Sequence, residues 1–408
     1  MADRKLLQPD VEFINSLGER GADTLKKCYQ CATCSVVCPI SPDNKPFPRK
    51  EMIAASWGLS DELVSDVDVW LCHQCGDCSA KCPRGARPGD VLGSIRSLAI
   101  ERYAKPGWLA RMVNDPKKLP LLVLFPTVLF IVVGLITGLL DFTPALRHGH
   151  ISHGMFFSSW LVDIIFVPSL FFAVAVFALA LKGFVTDMHE NAVRTGKVMK
   201  KELSWMDMIK SAPGVLLTIL RHDKFSECGE NKDRATTHMM VLFGFIGLFI
   251  VTGIFFLVLY GSMIYFGSYE EAWHSPYSQL NPVKWLANVS GLALLVGSLV
   301  MAKNRLFKDE KIAKSTYKDW FLIGLVFGLA VTGLGTELTR LAGLATDTYI
   351  LYFIHLIFVF ATFVYTPYSK LAHLVYRTVA MIYADWAGRE EAIKAAAEEA
   401  AKAEPSAA

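Results

Sequence analysis

Two stretches of the chain repeat one cysteine spacing. Cys28, Cys31, Cys34 and Cys38 precede Pro39, and Cys72, Cys75, Cys78 and Cys82 precede Pro83, so each run reads C-x2-C-x2-C-x3-C-P. Thiolates at this spacing are the ligand pattern of paired [4Fe-4S] clusters, in which the fourth cysteine of one run serves the cluster held by the other run's first three. The expected sets are Cys28, Cys31, Cys34 and Cys82 for one cluster, and Cys72, Cys75, Cys78 and Cys38 for the other. Disulfides and structural zinc are the competing uses of these residues. Zinc takes two close pairs, whereas each run here is a triplet with a fourth cysteine and a proline.

Histidine is the second chemistry-bearing type. His355 and His373 are 18 residues apart, five turns of a continuous helix or about 27 Å at 1.5 Å per residue, which suits one haem near each side of a bilayer core of about 30 Å. This spacing requires the helix to pass through Pro367, which kinks a helix without having to end it. His238, at the start of an earlier apolar segment, is level with His373, and the two imidazoles are the expected axial ligands of a b haem. For His355 the outer-side candidates are His148, His150, His153 and His274. His153 is favoured because it shortly precedes an apolar segment, so the expectation is one b haem or two. Asp163 and Glu337 are carboxylates inside apolar segments, candidates for proton exit or quinol contact; Arg340 is an alternative partner for Glu337. His222, Lys224 and Cys228 fall in a basic loop expected to face lipid or a partner.

These residues need a membrane scaffold to position them. The 408 residues are 53% hydrophobic with a mean hydropathy of +0.35, and six apolar runs of spanning length stand at about 119–140, 160–181, 239–260, 285–302, 320–338 and 348–365. Tryptophans open the second, fourth and fifth runs, where interfacial aromatics are expected. Ten Lys/Arg lie in 182–234 and six in 303–318, while the opposite side offers only Arg147, Lys284 and Arg340 near segment ends. The basic loops, and with them the cysteine runs, are therefore expected in the cytoplasm, with the bundle in the inner membrane. The polar first 25 residues lack the apolar core of a secretory signal, and thiols stay reduced in the cytoplasm. A net charge of +3 gives no reason to expect a nucleic-acid partner.

Between the cysteine runs, 49–67 carries Met52, Ile53, Trp57, Leu59, Leu63 and Val64 on helical spacing, and a further helix is expected over about 91–104. The fold class is all-α: a helical two-cluster domain (1–110), a six-helix transmembrane haem b bundle (111–385) and an Ala/Glu-rich tail (386–408), to which no chemistry is assigned.

The cysteine runs, with Cys82-Pro83-Arg84-Gly85 and the helix after them, resemble the iron-sulfur C subunit of heterodisulfide reductases. The stretch containing His222, Phe225, Cys228, Gly229 and His238 before Val241-Leu242-Phe243-Gly244-Phe245 resembles the gamma-type cytochrome b of nitrate reductase and membrane-bound heterodisulfide reductase. The fused order is similar to the C subunit of the quinone-interacting membrane-bound oxidoreductases of sulfate reducers. That resemblance implies menaquinone as substrate, two soluble flavin and iron-sulfur subunits, A and B, as partners, adenylylsulfate reductase as acceptor, and haem ligation by His238, His355 and His373. The chain departs from the gamma-type pattern at Leu248, where a second histidine is expected. Two other readings compete with electron transfer from quinol: a heterodisulfide-type electron-transfer subunit, and an anchor for a ferredoxin complex without quinone chemistry.

Overall fold

A computed structural model describes residues 8–42, 45–143, 146–147, 149–225, 227, 229–230, 234–267, 276–307 and 309–403. These are almost wholly helical; the only strands among them are the paired Leu146–Arg147 and His150–Ile151.

The N-terminal unit is built from short helices around two cysteine loops. Each loop enters a one-turn helix, Thr33–Val36 or Asp77–Ala80. Just before each helix the backbone enters the left-handed region twice, at Gln30 and Ala32 (both φ 66°) and at Gln74 (φ 55°) and Gly76 (φ 91°). Such a conformation costs a non-glycine residue about 1 kcal/mol or more, and strain of this kind collects at ligand-holding loops. Here it points the Gln74 N–H at Cys72 Sγ, 3.3 Å away. The intervening sequence forms Arg49–Ser56, Ser60–Val64 and Val67–Leu71, and the helix expected at 91–104 begins earlier, at Pro88, and runs to Tyr103. Proline suits a first turn, where its missing N–H has no partner to lose.

Among the described residues, six helices are long and apolar enough to cross a membrane: Pro116–Thr137, Ser159–Arg194, Arg234–Phe266, Pro282–Leu306, Tyr317–Leu341 and Ala345–Tyr368. The third through sixth pack in sequence order, and the first two lie against the sixth. Where the third meets the fourth, a Cβ on Gly244 would stand 3.0 Å from the Ser290 carbonyl and one on Gly247 would meet the Ser290 side chain, so these glycines let the two helices approach closely.

The sixth helix does not continue to His373. It ends at Tyr365, passes through single turns at Thr366–Tyr368 and Lys370–Ala372, and a new helix runs His373–Trp386. Pro367 supplies no N–H, and the Ser369 hydroxyl accepts from the Leu371 N–H, capping the new start. The helical register joining His355 to His373 is thereby broken.

The second helix runs 36 residues, about 54 Å at 1.5 Å per residue and well beyond a bilayer core. Its far end enters the core of the cysteine unit. Phe184 meets Trp70 edge-on at 5.5 Å, and Trp70 stacks on Tyr376 at 5.2 Å. One hydrophobic core therefore joins the two parts of the chain.

Candidate cofactor-binding sites

The eight cysteines line two pockets. Cys28, Cys31, Cys34 and Cys82 surround one, with Tyr29, Arg49 and Arg84 among its walls. Cys38, Cys72, Cys75 and Cys78 surround the other, with His73 and Gln74 beside them. Each pocket thus takes three sulfurs from one run and the fourth from the other. Burial pushes the Cys34 thiol up to about 11 and Cys38 up to about 12. Such sulfurs ionise only against bound positive charge, so the donor set fits a cluster of iron ions. Cys31 differs: it is exposed, and hydrogen bonds from Thr33 pull its thiol down.

The pocket around Cys72 lies on the bundle side. Buried Arg96 donates to the carbonyls of Val69 (2.8 Å) and Cys72 (2.6 Å), and its guanidinium sits 5.7 Å from the Trp70 ring centre. Arg234, which opens the third span, donates to the Gln74 carbonyl at 3.3 Å, and the Gly229 and Glu230 N–H groups donate to the Asp77 carboxylate at 3.1 and 2.7 Å. Burial, with Arg377 adding to it, lowers His73 to about 4.

The histidines predicted from sequence are held through Nδ1. His373 Nδ1 stands 2.6 Å from the Lys370 carbonyl, so that nitrogen carries the proton and Nε2 keeps its lone pair. His238 Nδ1 stands 2.7 Å from His222 Nε2, and His222 Nδ1 is 3.2 Å from the Leu220 carbonyl. A carbonyl only accepts, so His222 is protonated on Nδ1, its Nε2 accepts from His238 Nδ1, and His238 Nε2 is left as a lone pair. This is the tautomer an axial ligand needs, and both residues fit a haem. Burial, reinforced by His238 and Lys370, keeps His373 neutral, at about 3. His222, expected to face lipid or a partner, is instead 7% exposed and turned inward at the left-handed end of the Trp205–Arg221 helix. Cys228 lies outside the described residues, and Lys224 pairs with Glu227 at 2.9 Å.

On the opposite side, His355 Nδ1 is 3.0 Å from the Thr332 hydroxyl, and Gly333 leaves the ring its room. His153 rests against Tyr352 (4.6 Å), its Nε2 buried without a hydrogen-bond partner among the described residues. Burial lowers it to about 4, with Arg340 adding to the effect. A buried imidazole nitrogen lacking a partner fits a second haem ligand. His150 is exposed, and His148 and His274 lie outside the described residues. Asp163 accepts from the Tyr260 hydroxyl at 2.5 Å. Glu337 is bound by Arg340 (2.7 Å), Lys284 (2.9 Å) and Gln279, so its charge is already answered by structural partners.

A buried charge cluster at the junction has no counterpart among the sequence expectations. Lys197 Nζ lies 2.8 Å from Asp66 and 2.5 Å from Asp68, and Arg389 Nε is 2.6 Å from Asp68. Glu51 completes the group, raised to about 8 by burial and then by Asp66 and Asp68. The ammonium group sits among the carboxylates, and the cluster fixes the Val67–Leu71 helix that leads into Cys72. Arg389 belongs to the Ala/Glu-rich tail, which is therefore attached to the cysteine unit at this point.

Residues 24–86 match the family described as 4Fe-4S dicluster domain. The chain is 37% identical over 102 residues to the C subunit of the H(2):CoB-CoM heterodisulfide,ferredoxin reductase of Methanothermobacter marburgensis (25% of this chain, 52% of that protein). It is 33% identical over 105 residues to a protein of Archaeoglobus profundus described as like the C subunit of heterodisulfide reductase (26% and 56%). A third relative, an iron-sulfur C subunit of the CoB--CoM heterodisulfide reductase of Methanocaldococcus jannaschii, is 33% identical over 110 residues (25% and 59%). The chain spans between half and three fifths of the length of these curated relatives. No solved structure matches. The N-terminal part is thus an iron-sulfur domain related to the C subunit of heterodisulfide reductase, joined to six membrane-competent helices.

Proposed function

We propose that the chain is the membrane subunit of a quinone-linked oxidoreductase of sulfate respiration, the C subunit of its complex, passing electrons between menaquinol and soluble flavin and iron-sulfur subunits A and B towards adenylylsulfate reductase. In this reading residues 1–110 form the cluster domain in the cytoplasm, 111–385 a cytochrome b domain in the inner membrane and 386–408 a tail. The carrying observation is the division of eight cysteines into two four-sulfur pockets, one of them joined through Trp70 and Tyr376 to the helix that His373 opens.

Cys28, Cys31, Cys34 and Cys82 would hold one [4Fe-4S] cluster, Cys72, Cys75, Cys78 and Cys38 the other, His238 and His373 one b haem, and His355 with His153 a second. When bound, these groups supply one-electron carriers, as a quinol giving up two electrons and two protons requires. The chain's residues do the rest. The His222 and Lys370 contacts fix which imidazole nitrogen is free. Asp163, bonded to Tyr260, is a carboxylate able to take a quinol proton, whereas the ion pairs of Glu337 favour a structural role.

The test is to count iron, acid-labile sulfide and haem per chain, then add a menaquinol analogue to the oxidised protein. Eight iron, eight sulfide and reduction of the b-haem spectrum are expected from two [4Fe-4S] clusters; a spectrum that does not change ends the quinol reading. The similarity to heterodisulfide reductase subunits favours a second reading, a heterodisulfide-type electron-transfer subunit. Thiol-disulfide turnover by the intact complex would select it. An anchor without haem gives no reason for the two tautomer-fixed histidines.

A further inference from the structure

We propose that the surface around Cys31 is the docking face for a soluble, acidic electron-transfer protein, and that the Cys72 pocket is turned towards the membrane histidines. This rests on the reading that both pockets hold [4Fe-4S] clusters.

The two pockets are unlike in what covers them. Elements from the bundle side reach the second cysteine run at several points: Arg234 at the Gln74 carbonyl, Gly229 and Glu230 at Asp77, and Glu227 at His73 (3.7 Å). The walls of the other pocket all come from residues 28–34, 49 and 82–88, and the loop between the fourth and fifth spans meets this side at Arg87, which donates to the Glu310 carbonyl at 3.2 Å, and at Asp23, which pairs with Lys314 at 3.7 Å, rather than at the cysteine run itself. Its Cys31 is exposed, beside Tyr29 (58% exposed) and Val36 (85% exposed). A buried cluster can exchange electrons with a soluble protein only where the intervening wall is thin, and Cys31 provides that place.

Charge identifies the occupant. Lys26, Lys27 and Lys81 stand exposed next to the ligands of this pocket, and Arg84 lies 5.9 Å from the Tyr29 ring centre. Asp23, the nearest preceding carboxylate, is tied to Arg87 at 2.5 Å. Exposed apolar side chains with cations close to them suit the acidic face of a redox partner, because opposite potentials steer encounter while the apolar centre excludes water. A second copy joined face to face would set these cations against one another. The exchange itself is a one-electron transfer: the reduced centre of one protein loses an electron, the oxidised centre of the other gains it, and no bond or proton moves.

The full chain in detergent, with its clusters, tests this by two measurements. Electron paramagnetic resonance signals of the dithionite-reduced protein are assigned with Cys31→Ser and Cys75→Ser variants. A dianionic dysprosium chelate should relax the Cys31-assigned signal, more strongly than a neutral chelate does, and leave the Cys75-assigned signal unchanged. Equal or reversed effects would overturn the proposal while leaving the cofactor reading standing; absence of two cluster signals would overturn both. In the second measurement, a reduced acidic [2Fe-2S] ferredoxin serves as the protein probe. Its second-order rate of cluster reduction should fall about tenfold or more in Lys26→Glu/Lys27→Glu/Lys81→Glu at low salt and converge with wild type at high salt, while the extent of cluster reduction reached with excess dithionite stays that of wild type. An unchanged ferredoxin rate sinks the docking face. Loss of binding to anionic phospholipid vesicles with an unchanged ferredoxin rate would assign the cations to lipid and likewise overturn the proposal.

Discussion

His222 Nε2 and His238 Nδ1 stand 2.7 Å apart, and the direction of that hydrogen bond decides which nitrogen of His238 is free. His222 occupies a left-handed conformation (φ 58°) that asparagine also tolerates, so His222→Asn keeps the backbone while its shorter side chain cannot reach His238. In the proposed haem site, removing the acceptor would make the imidazole a weaker donor to iron, since losing the hydrogen-bond partner of a metal-ligating histidine costs about 10–100-fold in affinity. The variant is expected to bind haem more weakly and to show a raised haem midpoint potential, read by redox titration of the b-band. An unchanged potential with full haem content would reduce His222 to a packing role.

His373 begins a helix and is not carried by the sixth span, so its removal leaves the bundle's helical ladder intact. His373→Ala is expected to abolish the proposed haem on the cysteine-unit side, measured by pyridine haemochrome, with the signals of both proposed clusters kept. Retention of all haem would move the ligand elsewhere.

The parts of this chain legible in sequence are those written in local spacing. The cysteine runs declare the thiols that line the two pockets within eleven residues each, and the spans declare themselves by uninterrupted apolar length. The break after Tyr365 has a local signal as well: Pro367 followed by Ser369, a proline that removes a donor and a serine that caps a new start. Reading Pro367 as a kink alone overlooks the serine. His222 and Lys197 carry no such mark. Their partners lie 16 and about 130 residues away, and in sequence each is one more basic residue in a basic loop. The same holds for Arg389, whose surroundings of Ala, Glu and Lys suggest solvated helix, although it reaches Asp68 across 321 residues.

Lys197 is nearly unexposed and bridges Asp66 and Asp68. Lys197→Met leaves two buried carboxylates facing Arg389 alone. Removing one partner from such a group costs about 3–5 kcal/mol, because the remaining charge is uncompensated in a poorly polarisable interior. Thermal unfolding in detergent should show a lowered midpoint. The cysteine unit should also become more open to limited proteolysis, since the cluster ties it to the end of the second span. A midpoint equal to wild type would mean that the ion group contributes nothing to the junction.

Glu51 gives the opposite charge effect, because it is stable in the fold only while protonated. Burial, and then Asp66 and Asp68, raise it from an ordinary 4.5 to about 8. Between these values the unfolded chain has released the proton and the folded chain keeps it, so stability falls as pH rises from about 4.5 to 8. Asp68 acts in a separate, lower window: burial opposes its ionisation, yet Lys197 and Arg389 hold it at about 2, below its ordinary 3.8, so its contribution is lost only as pH falls from 3.8 towards 2. Glu51→Gln keeps the shape and removes the titration. Its unfolding midpoint relative to wild type should be unchanged near pH 4.5 and should rise progressively to pH 8, where the neutral amide no longer competes with a carboxyl that the fold forces to stay protonated. Parallel pH profiles for the two proteins would show that Glu51 ionises in the fold as it does in water.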